Sequence, residues 1–317
     1  MKSFFKRFSL PVSLLVGVVS YLMFSQIEIL EPIGDVAGPL FLDIMPVVLF
    51  TILYVTFCKI QIKEMKPRTW HFILQGIRIA LSGFFVWLIT LTSDADVKLL
   101  LEGMFICIIC PTAAAAPVVT QKLGGSIGSL TIYTIIANVV TSVIIPLFFP
   151  MVEKSADIEF FAAVLMVLKN VTVVLVVPLV LALTSRKVIP SFTSWLAKKK
   201  DLGFYLWCVN LAIVSGVTMR NILLSTVSGH TLVLLIILPL FVTIALFAIG
   251  KAVGRPFGDS ISAGQALGQK NTVVGIWLTI SFLNPLAAVA PGAYVLWQNM
   301  VNAWQLWYKD KYGKLKW

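Results

Sequence analysis

The sequence is poor in charge, in histidine and above all in carboxylates. Only 12% of its 317 residues are charged, about half the roughly 25% of ordinary soluble domains, which excludes a water-soluble globular fold. There are 2 histidines, and 14 acidic residues stand against 25 basic ones. An enzyme working inside a membrane needs a nucleophile with its base, or clustered histidines and carboxylates. His71 and His230, far apart and near helix ends, supply neither. The 4 cysteines (Cys58, Cys107, Cys110, Cys208) fall in or beside apolar runs. Cys107 and Cys110 form a CxxC, but without a second pair a zinc or redox centre is unsupported, and small buried thiols are expected. No cofactor site is evident.

Apolar length is what the sequence has instead. The chain is 59% hydrophobic, with a mean hydropathy of +0.95. Ten segments are long enough to cross ~30 Å of hydrocarbon at 1.5 Å per residue: 8–26, 37–58, 69–92, 98–122, 125–151, 159–184, 201–219, 229–251, 259–282 and 285–308. The connectors "EPIGD", "KPRT", "TSDAD", "SRKVIPS" and "GRPFGD" carry helix-stopping residues. Segment 1 follows Lys2, Lys6 and Arg7 as a signal peptide would, yet "SQIEILEPIG" after it offers no small-x-small cleavage site. A retained first helix is expected.

The basic residues set the orientation. With a cytoplasmic N-terminus, Lys2, Lys6 and Arg7, the 59–68 loop, Lys122, the 186–200 loop, Lys251, Arg255 and the lysines from Lys309 onward all fall inside. Only Lys98, Lys154 and Arg220 fall outside. The bias predicts ten crossings with both termini in the cytoplasm, and a prokaryotic inner membrane as the location. It also accounts for the net charge of +11 as topology charge rather than a nucleic-acid footprint.

Three cations remain within the apolar segments: Arg78, Lys169 and Lys270. Of the acids, only Asp43 and Glu102 approach such a segment, both near its outer end. A bare cation at bilayer depth costs on the order of 3 kcal/mol or more, and Lys270, in "GQALGQKNTVVG", has no acidic partner visible in the sequence.

Segments 4 and 9 are irregular. Pro111 and Pro117 interrupt segment 4, and a proline supplies no N–H, so the carbonyls of Cys107 and Ala113 lose their helical partners. Gly264, Gly268 and Gly275 surround the polar run of segment 9. The two segments hold the same place in two halves of five crossings, 1–153 and 154–317, and an odd number of crossings turns the second half upside down. Paired, Gly/Pro-interrupted segments at matching positions point to a secondary transporter's midplane site. The alternative is a pair of ordinary Pro-kinked helices.

"CIICPTAAAAPVVTQKLGGSIGSLTIYT" resembles the fourth-helix region of the bile acid:sodium symporter family, which carries a Cys-Pro-Gly-Gly-Thr-Ala-Ser-Asn type motif. "ALGQKNTVVGIWLTISFLNPLAAVAPGAYVLWQN" resembles that family's ninth helix and the adjoining segment, where Glu-x-Gly-x-Gln-Asn precedes an Asn/Ser-Pro turn. The resemblance implies an all-α polytopic membrane fold of ten transmembrane helices in two inverted five-helix repeats. Broken helices 4 and 9 would cross inside a core domain (segments 3–5 and 8–10), beside a panel domain (1, 2, 6 and 7). It also implies two sodium ions held at the crossing, and here the chain departs from the pattern. Matched without gaps, the family's Ser-Asn pair falls on Ala116 and Pro117, and one helix 5 hydroxyl position falls on Leu130 while the other keeps Thr134. The acidic ligand becomes Ala266 and the glutamine of Gln-Asn becomes Lys270, whereas Gly268, Asn271 and Gln75 match. Two sodium sites are therefore not expected.

Lys270 is instead expected to replace a sodium ion, donating to carbonyls freed in segments 4 and 9, and it could load and unload a proton during a transport cycle. The alternative is a fixed cation that never titrates. Asn271, Gln269, Gln265 and Thr112 would add neutral hydrogen bonds around Pro111. With no midplane acid and helix ends at the crossing, the substrate is expected to be a small or amphipathic organic anion. Gln75 and Arg78 lie one turn apart in segment 3; Arg78 would bond carbonyls of a neighbouring helix or pair with a substrate carboxylate. Lys169 and Asn170, with Asn210, would face the cavity from the panel side. Gln298 and Asn299 would close the site or bond helix 5 through Asn138. Trp304, Trp307 and Tyr308 read as an interfacial belt. Two further readings stand beside this one: a sodium-coupled symporter with displaced ion ligands, and a non-transporting sensor or channel-like scaffold.

Overall fold

The computed structural model describes residues 9–315 apart from 61, 62, 64, 114, 154–168, 170–172, 174, 175, 200, 226 and 227. The described residues are helical, joined by turns, and hold no strand, only one isolated β-bridge. In chain order the helices are α1 (Ser9–Gln26), α2 (Glu31–Phe57), α3 (Thr69–Leu91), α4 (Ala95–Ile109), α5 (Ala116–Leu123), α6 (Ile127–Val152) and α7 (Val177–Val188). They continue with α8 (Pro190–Lys198), α9 (Leu202–Leu223), α10 (Gly229–Gly254), α11 (Ser260–Gly268), α12 (Thr272–Phe282) and α13 (Val289–Tyr312). Among the described residues six helices, α1, α2, α3, α6, α9 and α10, are long and apolar enough to cross a membrane. Large apolar side chains face outward along them, such as Leu15, Val36 and Phe241, while Gln75, Arg78, Lys270 and Asn302 are buried. That polarity suits a lipid surround and would be untenable in water.

The segment boundaries follow the chemistry of the chain. Asp94 caps α4, its carboxylate accepting from the Val97 N–H at 2.9 Å, which places the "TSDAD" stop directly ahead of the helix. Segment 2 starts earlier than expected, at Glu31 rather than 37: Pro32 of "EPIGD" lies in the first turn, where its missing N–H has no partner to lose. Segment 4 is two helices, α4 and α5, and segment 9 is two, α11 and α12. Of the expected segment 6, residues 159–168 and Asn170 lie outside the described residues; α7 is its end.

One group packs α10 on α11 and α13, with α3, α4 and α6 against them. Separately, α9 packs on α1 and α2, and α2 on α7. Contacts of α13 with α9 and α1, and of α5 with α9, tie the groups together. Small residues permit the closest approaches: a Cβ on Gly250 would stand 2.4 Å from the Ala263 carbonyl oxygen, and one on Gly17 2.0 Å from that of Ala212.

Candidate functional site

The two breaks meet. Past Pro111 the chain is extended, and Thr112 pairs with Lys270 in an antiparallel bridge. The Ala113 N–H donates to Gln269 O at 3.1 Å, and the Asn271 N–H donates to Pro111 O at 2.8 Å. This reciprocal pair satisfies backbone that would otherwise be bare in hydrocarbon, where each unpaired group costs several kcal/mol. Thr112 Oγ1 adds a bond to Ala266 O at 2.7 Å. Gln298, from α13, brackets the bridge by accepting from the Lys270 N–H at 2.7 Å and donating to its carbonyl at 3.4 Å.

Cations hold the end of α4. In a continuous helix the carbonyls of residues 108–110 would bind N–H groups four residues on, and the break removes them. The Lys270 ammonium donates to Ile108 O at 2.8 Å and Cys110 O at 3.2 Å. The Arg78 guanidinium donates to Ile109 O between them at 2.9 Å, to Thr141 Oγ1 at 2.6 Å and to Ala137 O at 3.0 Å. Both side chains are buried, and a helix C-terminus, with its partial negative charge, is where a cation is stabilised. Among the described residues the Lys270 ammonium therefore donates to segment 4 and not to segment 9, and to Ile108 and Cys110 rather than to the expected Cys107 and Ala113. The break runs on beyond Pro111, so more carbonyls come free than one proline accounts for.

The remaining expected residues divide. Gln269 donates through its amide to Gln265, and Gln265 to Gln305 at 3.1 Å. Asn271 caps α12, its Oδ1 accepting from the Val274 N–H at 3.4 Å. None of these side chains, nor Thr112, bonds the Lys270 ammonium. Gly268 is required by space, since a Cβ there would stand 2.4 Å from the Phe247 ring. Pro117 sits buried in the first turn of α5. Gln75 is buried with neither amide atom partnered among the described residues. Thr134 and Asn138 bond carbonyls of their own helix, Leu130 O and Thr134 O. Asn299 does the same with Val295 O, so the expected Asn138–Asn299 link is absent; both side chains close onto their own helices four residues back. Asn210 is half-buried on α9 with its Oδ1 unpartnered among the described residues, and Lys169 is exposed.

Some residues emerge only from the structure. The Tyr294 hydroxyl donates to Gly268 O, a carbonyl freed at the end of α11, at 2.7 Å. Tyr294, Gln298, Asn302 and Gln305 form one buried stripe on α13, legible in hindsight as polar residues at helical spacing. Asp259 is a correction: it lies buried at the start of α11, although only Asp43 and Glu102 were expected to approach a membrane segment. Its Oδ2 accepts from Arg68 at 2.9 Å, the Trp70 indole at 3.1 Å and Ser129 Oγ at 3.2 Å. His71, buried beside it, bonds Ser129 Oγ at 3.1 Å. This cluster ties together the starts of α3, α6 and α11.

The arrangement brings hydrogen-bond donors and two basic side chains, Lys270 and Arg78, with no carboxylate bonded to either among the described residues, to the point where two broken helices meet inside an apolar bundle. No curated protein matches the chain. The model of the SBF-like CPA transporter family matches residues 18–301, and the chain belongs to that family of bile acid:sodium symporter-like membrane transporters.

Proposed function

We propose that this transporter moves a small or amphipathic organic anion by alternating access without the two sodium ions, the Lys270 ammonium serving as a tethered cation in their place. The observation that carries the reading is the Lys270 ammonium on the Ile108 and Cys110 carbonyls, with Arg78 on the carbonyl between them. Three of the positions that match the family's sodium ligands do not fit such ions, although Thr134, Asn271 and Gln75 keep their oxygens. Ala116, Leu130 and Ala266 are fully buried in one hydrophobic cluster with Leu74, Tyr133 and Ala137, and offer no side-chain oxygen.

The ten-crossing, inverted-repeat organisation, split at 153/154, draws support from two interrupted helices, α4–α5 and α11–α12, at the same place in each half, whose breaks pair with each other. The separate packing of α9 with α1 and α2 supports a panel moving against a core. Cytoplasmic termini in an inner membrane follow from the basic loops.

The test is uptake of labelled organic anions into liposomes, with sodium and proton gradients imposed separately, in wild type and Lys270→Gln. Sodium-indifferent uptake that the substitution abolishes is expected; sodium-driven uptake overturns the reading. A second reading, in which Lys270 loads a proton, is favoured by the lack of any carboxylate among its partners in the described residues. Proton-driven uptake lost in Lys270→Gln selects it over a fixed cation.

A further inference from the structure

A cavity of about 1230 Å³ opens on the flank of the bundle between α10, the start of α11 and α13. Its walls change character along their length. At the end of the molecule that carries the basic loops it is lined by Lys251 and Arg255, and deeper by Ile244, Leu240, Met300 and Trp297. From Lys251 to Leu240 the helix rises about 16 Å at 1.5 Å per residue, close to half of the ~30 Å hydrocarbon thickness. The Trp297 indole, fixed by its bond to Ile236 O at 2.7 Å, lies at that deep end. Ile244, Met300 and Trp304 are exposed along the slot, which therefore faces the bilayer.

We propose that this slot is a binding site for one anionic phospholipid, its phosphate held by Lys251 and Arg255 and its acyl chains running down to Trp297. Charge decides the class of headgroup. The carboxylate in the lining, Asp259, already accepts from Arg68, Trp70 and Ser129, so its charge is matched within that cluster. Lys309 adds to the positive field from beside the pocket wall, where its ammonium bonds Lys122 O at 2.7 Å next to Gly124. Length decides for a lipid over a free phosphate: the apolar part matches one leaflet. A basic pocket between transmembrane helices is the usual form of such recognition. The bound lipid would brace α10 and α13 against α11, whose far end forms the crossing.

The full-length protein in detergent is equilibrated with equal amounts of phosphatidylglycerol and phosphatidylcholine of the same acyl chains, and the lipid retained after gel filtration is quantified without any transported solute. Phosphatidylglycerol should be enriched roughly 25-fold, about fivefold per cation. Arg255→Gln, at an exposed side chain, should lower the enrichment to about fivefold, and Lys251→Gln/Arg255→Gln should remove it. Ile244→Trp, which fills the slot, should reduce retention with the cations intact. Equal retention of both lipids, or enrichment unchanged in Arg255→Gln and Ile244→Trp, overturns the proposal. Glycerol phosphate that displaces the lipid at equal concentration would also overturn it, reducing the site to a phosphate pocket.

Discussion

The two helix breaks at the crossing do the same topological job with different chemistry. At the end of α4 the freed carbonyls of Ile108, Ile109 and Cys110 are held by cations, Lys270 and Arg78. At the end of α11 the carbonyls of Ala266, Gly268 and Gln269 are held by neutral donors: a threonine hydroxyl, a tyrosine hydroxyl and a backbone N–H. Either set satisfies an interrupted helix in hydrocarbon. Only the first does so with basic side chains, and the proposed anion selectivity rests on that difference.

The widest gap between the two ends should come from Lys270→Met. It strips the donor from two buried carbonyls at about 1–3 kcal/mol each, and uptake should vanish while the thermal unfolding midpoint falls by several degrees. Near-normal uptake by a folded Lys270→Met protein would break the comparison. Arg78→Gln should come next, at about 1–3 kcal/mol: uptake falls at least tenfold, because a neutral amide cannot serve Ile109 O, Thr141 and Ala137 O together. Gly268→Ala tests the neutral end through packing. Its Cβ meets the Phe247 ring, an overpacking worth about 1–3 kcal/mol, and Phe247→Leu in the same chain should restore the unfolding midpoint. The smallest effect belongs to Tyr294→Phe, which removes one neutral bond to Gly268 O at about 0.5–1.5 kcal/mol. Uptake should fall only a few-fold, and a loss as complete as that of Lys270→Met would show the two ends to be equivalent.

The anomaly of Lys270 was legible in the sequence, since a cation deep in an apolar run stands out. That it would bond carbonyls freed in segment 4 was legible too, but which carbonyls, and that Arg78 would share them, was not. Prolines show why. Pro146 and Pro150 sit inside an unbroken α6, and Pro239 inside an unbroken α10, yet α4 ends just before Pro111. Each removes the same N–H. What differs at Pro111 is the presence of side chains from α3 and segment 9 that can hold the exposed carbonyls. Asp259 failed to stand out for the opposite reason: an acid in a Gly- and Pro-containing loop reads as solvated until Arg68, Trp70 and Ser129 close around it.

By itself the sequence determined the solvent and, among the described residues, where apolar helices run and that segments 4 and 9 are interrupted, because apolar length, proline and glycine act through local geometry and transfer from water. It also showed that three of the positions matched to the family's ion ligands, Ala116, Leu130 and Ala266, carry no side-chain oxygen, since those are side-chain identities. Only the tertiary structure decided that the two breaks pair with each other, that Lys270 and Arg78 share the end of one helix, and that Tyr294 rather than a cation serves the other. Those outcomes depend on contacts between residues 26 to 162 positions apart, and short-range hydropathy carries no record of them.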